Sequence, residues 1–276
     1  MRIPDWIVFS LILGVVLWAL FSGDKNADAP EAPPIMQEAT GPMLPGPNQF
    51  DDEVLVQVGE TADGIGTAFA MDRRGVWLTA RHVVDGCADV GLQVSNGRLL
   101  PVTRVVTDTH ADIAVLYTLR APKALELAHR EDLRVGESGF HVGFPQGRPG
   151  EATSRLLARS RLITRGRYRN EENVLAWAEM GRTRDIRGTL AGISGGPVFD
   201  QNGGIIGVTV AESPRRGRIY TTAPESLDEV ISLAGMAETH GDTRYAFDIN
   251  NYGAQADMLR SELAVVKVFC RAEKGA

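Results

Sequence analysis

The sequence predicts an all-β fold. Short runs rich in β-branched and apolar residues recur at Val54–Val58, Gly66–Met71, Val76–Thr79, Val90–Val94, Ile113–Tyr117, Gly139–Val142, Val174–Ala178 and Ile205–Val210. Gly, Pro, Asp and Asn separate most of them, as in a barrel or sandwich rather than a series of βαβ units. Helical patterns are few: Pro224-Glu225-Ser226 precedes Leu227, Val230 and Ile231, and Asp257–Val265 is a second, short C-terminal candidate. Hydrophobic residues make up 43% of the 276, which is enough for a packed core.

Charge and cysteine content exclude several functions. The 29 Lys and Arg against 35 Asp and Glu give a net charge of −6, which argues against a nucleic-acid partner. Two cysteines are too few for a disulfide scaffold or a four-cysteine zinc site. With no tandem repeat, heptad or second long apolar run, collagen-like, coiled-coil and multi-pass membrane classes fall away.

From Trp6 to Phe21 the chain reads WIVFSLILGVVLWALF, with no charge. A spanning helix needs roughly 20 mostly apolar residues. Ile3, Pro4 and Ser22 extend the run to that length with Asp5 at the interface and Trp6 and Trp18 near the headgroups. A cleaved signal peptide is the alternative, although its apolar region is usually about 7–15 residues and the possible small-x-small site, Ala27-Asp28-Ala29, lies well downstream. The expectation is a transmembrane signal anchor over 1–22, N-terminus cytoplasmic, and either reading exports the rest of the chain. Residues 23–49 hold Pro30, Pro33, Pro34, Pro42, Pro45 and Pro47 with almost no apolar period, and are expected to form an extended tether. The globular domain is expected over 50–276.

Three segments carry chemistry. Gly192-Ile193-Ser194-Gly195-Gly196-Pro197 sets a serine among glycines, where backbone N–H groups can reach a reacting carbonyl. By itself the segment also suits a Gly-rich turn. Leu78-Thr79-Ala80-Arg81-His82-Val83-Val84 places a histidine at the end of an apolar strand, a position that is structural in most proteins. His110-Ala111-Asp112-Ile113-Ala114-Val115-Leu116 opens an apolar strand with an aspartate, which could be a strand-start cap or could fix the tautomer of a histidine.

The order His, Asp, Ser is that of the chymotrypsin-type triad and differs from the α/β-hydrolase and subtilisin orders. With these motifs the chain resembles trypsin-like serine proteases, and within them the bacterial HtrA/DegP branch. Thr79–Val84, Asp112–Leu116 and Gly192–Pro197 are similar to that branch's three motifs, and Val142-Gly143-Phe144-Pro145 and Gly204–Val208 are weaker echoes. The resemblance covers about residues 54–232. It implies two six-stranded antiparallel β-barrels with the site in the cleft between them. Ser194 would be the nucleophile, His82 the base and then the acid, and Asp112 the residue that orients His82. The N–H groups of Gly192 and Ser194 would form the oxyanion hole.

The chain departs from that pattern in three places. Ile193 stands where the digestive branch has an Asp that pairs with a new N-terminus, so activation by that pairing is not expected. Gly188 stands where trypsin-type specificity places a carboxylate. Gly188, Thr189, Leu190 and Val210 are expected to make a small, mostly apolar substrate pocket that does not select Lys or Arg. Only about 44 residues follow Ser232, too few for the PDZ domain usual in the branch.

Cys87 and Cys270, in an exported protein, are expected to form one disulfide that clamps the C-terminal tail near His82; two buried thiols are the alternative. Arg155, Arg159, Arg161, Arg165, Arg167 and Arg169 all fall at odd positions, a solvated strand face or, alternatively, a subsite for acidic groups. The histidines lack metal-ligand spacing, and neither a P-loop nor a dinucleotide fingerprint is present, so no metal or cofactor is implied. The expected function is a membrane-tethered, exported serine endopeptidase acting on protein or peptide substrates, in a bacterial periplasm. The alternative is a silent or latent trypsin-like fold that binds peptides at the membrane. Oligomeric state is not legible.

Overall fold

The computed structural model describes residues 41–94, 97–128, 130, 132–236 and 245–273. The expected anchor at 1–22 and most of the tether lie outside these residues. The described part of the tether packs on the domain: Gly41 and Leu44 donate N–H groups to the carbonyls of Val135 and Leu133, and Leu44 is buried. Among the described residues no helix is long and apolar enough to cross a membrane.

Among the described residues fourteen strands build two seven-stranded sheets. The first holds β2 (Gly64–Asp72), β3 (Val76–Ala80), β4 (Cys87–Gln93), β5 (Leu99–Pro101), β6 (Arg104–Thr107), β7 (Ile113–Tyr117) and β14 (Val265–Ala272) in the order β5-β4-β14-β2-β3-β7-β6. The second holds β1 (Asp52–Val58), β8 (Ser138–Gly143), β9 (Gly150–Gly166), β10 (Asn170–Arg182), β11 (Pro197–Phe199), β12 (Ile205–Ser213) and β13 (Arg218–Thr222) in the order β1-β9-β10-β13-β12-β11-β8. A further β8–β9 pairing closes six strands of the second sheet into a ring.

The expected pair of six-stranded antiparallel barrels therefore needs correction. β14 inserts between β4 and β2, antiparallel to both, and makes the first sheet seven-stranded. β1 pairs with β9 in parallel, from Asp52↔Ser160 to Val58↔Gly166. The helices are α1 (Arg81–Val84), α2 (Pro224–Leu233) and α3 (Tyr252–Ser261). The second helical candidate, Asp257–Val265, is displaced: α3 stops at Ser261, Leu263 takes a left-handed φ of 57°, and Val265 already belongs to β14.

In β2, β3 and β7 of the first sheet both faces are largely buried, so these strands read as nearly unbroken apolar runs. Phe69, Met71, Leu78, Ile113 and Val115 face the large core shared with β9, β10, β12 and α2, while Ala68, Ala70, Trp77, Ala114 and Leu116 fill a second core, as a two-residue period requires. Leu175, Trp177, Val198, Ile206 and Ile219 fill a third, which belongs to the second sheet.

Candidate active site

Strand register brings His82 and Asp112 together. β3 runs antiparallel to β7 with Ala80 opposite Ile113, so the residues just after one strand and just before the other share an end of the sheet. Asp108 closes the turn before Asp112 by accepting the N–H groups of His110 and Ala111 at 2.6 and 2.7 Å. His82, on α1, lies with Nδ1 2.6 Å from Asp112 Oδ2, and its backbone N–H donates to Asp112 Oδ1 at 2.9 Å. Burial on its own would depress the imidazole, but the charge and hydrogen bond of Asp112 outweigh it and hold the His82 pKa above 6.5.

Ser194 is half-buried in the turn that leads into β11, anchored by its own carbonyl, which accepts the Thr67 N–H at 2.8 Å. Glycine is needed beside it. Gly192 has φ +100°, and a Cβ there would meet the Phe144 carbonyl at 2.6 Å. The N–H groups of Ile193, Gly195 and Gly196 are committed to the carbonyls of Leu190, Thr209 and Ile193. Among the described residues those of Gly192 and Ser194 donate to no backbone carbonyl.

Residues that carried no signal in the sequence hold this turn. The Thr67 hydroxyl donates to the Gly192 carbonyl at 2.8 Å and accepts the Phe144 N–H at 3.1 Å. Gln146, left-handed at φ 54°, donates its N–H to Ala191 O and its side-chain amide to the carbonyls of Arg187 and Thr189. The Glu212 carboxylate accepts the Leu190 N–H at 2.9 Å and the Thr189 hydroxyl. Ile193 is 2% exposed and plugs the turn into the third core beside Leu190.

His82, Ser194, Gly192, Ala191, Val210, Ala211 and Glu212 line one cleft of about 450 Å³, which Val56–Ala62 walls on the other side. Of the four expected pocket residues only Val210 lines it. Leu190 is apolar and turns into the core, Thr189 faces Glu212, and Gly188 is exposed. A larger groove of about 850 Å³ lies beside the disulfide, with Ile65, Val90, Leu99 and Phe269 on its walls, and contains none of His82, Asp112 and Ser194.

A second layer surrounds Asp112. The Tyr168 hydroxyl donates to Asp112 Oδ1 at 2.9 Å, and Glu172, 6% exposed, accepts the Asp112 N–H at 2.8 Å. Burial, and then the Asp112 charge, push the Glu172 carboxyl well above its usual range. Three of the six arginines of the run pair with carboxylates within the chain: Arg159 with Glu225, Arg161 with Glu53 and Glu171, and Arg167 with Asp85. His141, fully buried between Ser154 and Thr209, is lowered to about 3 by desolvation and is a structural, neutral imidazole. Cys87 and Cys270 are joined in a disulfide with Cα atoms 5.5 Å apart. Among the described residues no group of three or more His, Cys, Asp or Glu side chains could hold a metal ion.

Two β-sheets with few helices, and a cleft lined by a serine and by a histidine that a buried aspartate backs, define a trypsin-like architecture. The trypsin-like peptidase domain profile matches residues 66–208, and the chain belongs to that family. Relatives include the periplasmic serine endoproteases DegQ and DegP of Escherichia coli. DegQ is 29% identical over 168 residues, 59% of this chain and 34% of DegQ; DegP is 27% identical over 263 residues, 88% of this chain and 52% of DegP. The chain thus spans about a third to a half of these relatives. Among solved structures, the active form of the Rv3671c protease of M. tuberculosis matches with a TM-score of 0.51 at 20% identity, over 66% of this chain and 76% of that one, a likeness of fold.

Proposed function

We propose that the chain is an exported serine endopeptidase in which Ser194 attacks the scissile carbonyl. His82 takes its proton and later returns it to the leaving amine, and Asp112 fixes the imidazole. The observation that carries the reading is the 2.6 Å contact between His82 Nδ1 and Asp112 Oδ2, in the cleft that Ser194 also lines. That contact leaves Nε2 as the ring nitrogen free to act on a hydroxyl. The N–H groups of Gly192 and Ser194 would hold the oxyanion. Val210 and Ala211 give the cleft a short apolar wall beside Ser194, which suits a small apolar side chain before the scissile bond. Residues 1–22 would tether the domain to a membrane with the cleft in the periplasm, as their apolar run and the periplasmic relatives support.

The test is labelling of the full chain by a fluorophosphonate probe, with Ser194→Ala and His82→Ala as controls. Labelling lost in both variants would establish the activated nucleophile. A folded chain that takes no label would assign the silent, peptide-binding reading instead.

A further inference from the structure

The turn between β9 and β10 reaches from the sheet that carries Ser194 to the one that carries His82 and Asp112. Three residues at or just after the turn converge there. Arg167 donates to the His82 carbonyl at 3.2 Å, and to Asp85 Oδ2 and Thr61 Oγ1 at 2.9 Å. Tyr168 donates its hydroxyl to Asp112 Oδ1, and Glu172, at the start of β10, accepts the Asp112 N–H. The Tyr168 ring is itself pinned, with the Arg81 guanidinium carbon 3.9 Å over its centroid.

We propose that Tyr168 is a positioning residue for the triad, its hydroxyl orienting the Asp112 carboxylate and, through that carboxylate, setting how tightly His82 holds its proton. The proposal rests on the reading of His82, Asp112 and Ser194 as a triad. The geometry separates the two carboxylate oxygens. Oδ2 faces the imidazole, while Oδ1 takes the Tyr168 hydroxyl and the His82 backbone N–H, both at 2.9 Å. Rotation of the carboxylate would break all three contacts at once. Burial, and then the Asp112 charge, hold the phenol far above its usual pKa, so it remains a donor throughout the neutral range.

The charges around this unit are few. Tyr168 faces Asp112, Arg81 and Asp85; His82 faces Asp112 and Arg167; Asp112 faces Glu172, with Asp108 near Glu172. A donor on Oδ1 spreads the carboxylate charge away from the imidazole. Without it, Asp112 draws harder on the imidazolium, and His82 keeps its proton to higher pH.

The experiment titrates His82 by NMR in the full chain labelled with 15N-histidine, in wild type and Tyr168→Phe. The expected result is an upward shift of the His82 midpoint by about half a pH unit. Fluorophosphonate labelling should slow most below that midpoint and recover toward alkaline pH. An unchanged midpoint, with labelling slowed by the same factor at every pH, would overturn the proposal and leave Tyr168 a merely structural contact.

A second measurement has the opposite sign. Replacing tyrosine by 3-fluorotyrosine makes the phenol a stronger donor, so the His82 midpoint should fall in the wild-type chain and stay put in Tyr168→Phe. Equal shifts in the two backgrounds would also overturn it. Because the midpoint is read without turnover, a wild-type chain that shows these shifts but takes no label would fail the endopeptidase reading and keep the Tyr168–Asp112–His82 linkage.

Discussion

The Thr67 hydroxyl bridges two loops, donating to the carbonyl of Gly192 while accepting the N–H of Phe144. Thr67 lies on β2, in the sheet that carries His82, and Gly192 lies in the turn that carries Ser194. One side chain therefore ties the turn proposed to hold the oxyanion to the other half of the cleft. Thr67→Val keeps the shape and leaves two polar backbone groups without a partner, at about 1–3 kcal/mol for each one that stays buried. We expect labelling of Ser194 to slow by roughly tenfold or more, since outright removal of one oxyanion donor typically costs about a hundredfold. An unchanged labelling rate would detach Thr67 from the oxyanion turn.

Asp112 raises the His82 pKa, and that direction fixes two opposite pH dependences. Below about pH 6.5 both folded and unfolded chains carry the imidazolium, and the stabilisation from the Asp112 pair is fully present. It is lost as pH rises through the folded-state midpoint. In the proposed mechanism activity runs the other way, since His82 must be neutral to take a proton, so labelling should rise with a midpoint above 6.5. Asp112→Asn should slow labelling by roughly 10³-fold or more through the wrong tautomer. A midpoint below 6.5 in the wild type would contradict the contact.

The disulfide closes 183 residues of chain. In the chain-entropy account a loop of that length contributes about 5 kcal/mol. Guanidinium unfolding with and without reductant, or of Cys87→Ser with Cys270→Ser, should show a loss of that order. Loss of less than about 1 kcal/mol would mean that the pairings of β14 hold without the bond.

Arg260 on α3 reaches into the second sheet, with its guanidinium 2.8 Å from Glu151 and 2.6 Å from Asp257. Burial raises Glu151 to about 7 against the pull of Arg260. The unfolded chain thus releases this proton first, and stability should fall as pH rises from about 4.5 to 7. Arg260→Met leaves the carboxyl buried without its cation and should cost about 3–5 kcal/mol, with part recovered on adding Glu151→Gln. Equal stability of the single and double variants at pH 7 would refute this account of the pair.

The triad candidates were legible because each sits in a short local pattern: an apolar strand ending in His82, one opening after Asp112, and glycines around Ser194. Most strand cores were legible for the same reason. What failed was non-local. Nothing between Val265 and Ala272 says that this strand enters a sheet whose other members end at Tyr117. The odd-position arginines showed one face of β9, but not that Glu53, Glu171 and Glu225, distant in sequence, would pair with Arg159 and Arg161 on it. Counting back from Ser194 located Gly188, Thr189 and Leu190 along the backbone but not the direction of each side chain, and Leu190 turned inward as an apolar residue does. Tyr168, Gln146 and Glu212 have no neighbours that mark them. Only the folded turns bring them to the cleft.

The place of β14 in the middle of its sheet orders events in time. Synthesis proceeds from the N-terminus at roughly 5–20 residues per second, so β4 waits on the order of ten to thirty seconds before the strand that must lie beside it exists. Until then β4 and β5 have no hydrogen-bonded link to β2, β3 and β7, which bear the His82–Asp112 pair. A nascent chain that has already made Ser194 still lacks a finished sheet on the opposite side of the cleft. For the proposed peptidase, completion of the cleft is thereby deferred until β14 has been made, and a shorter nascent chain is held back from cutting itself or its neighbours.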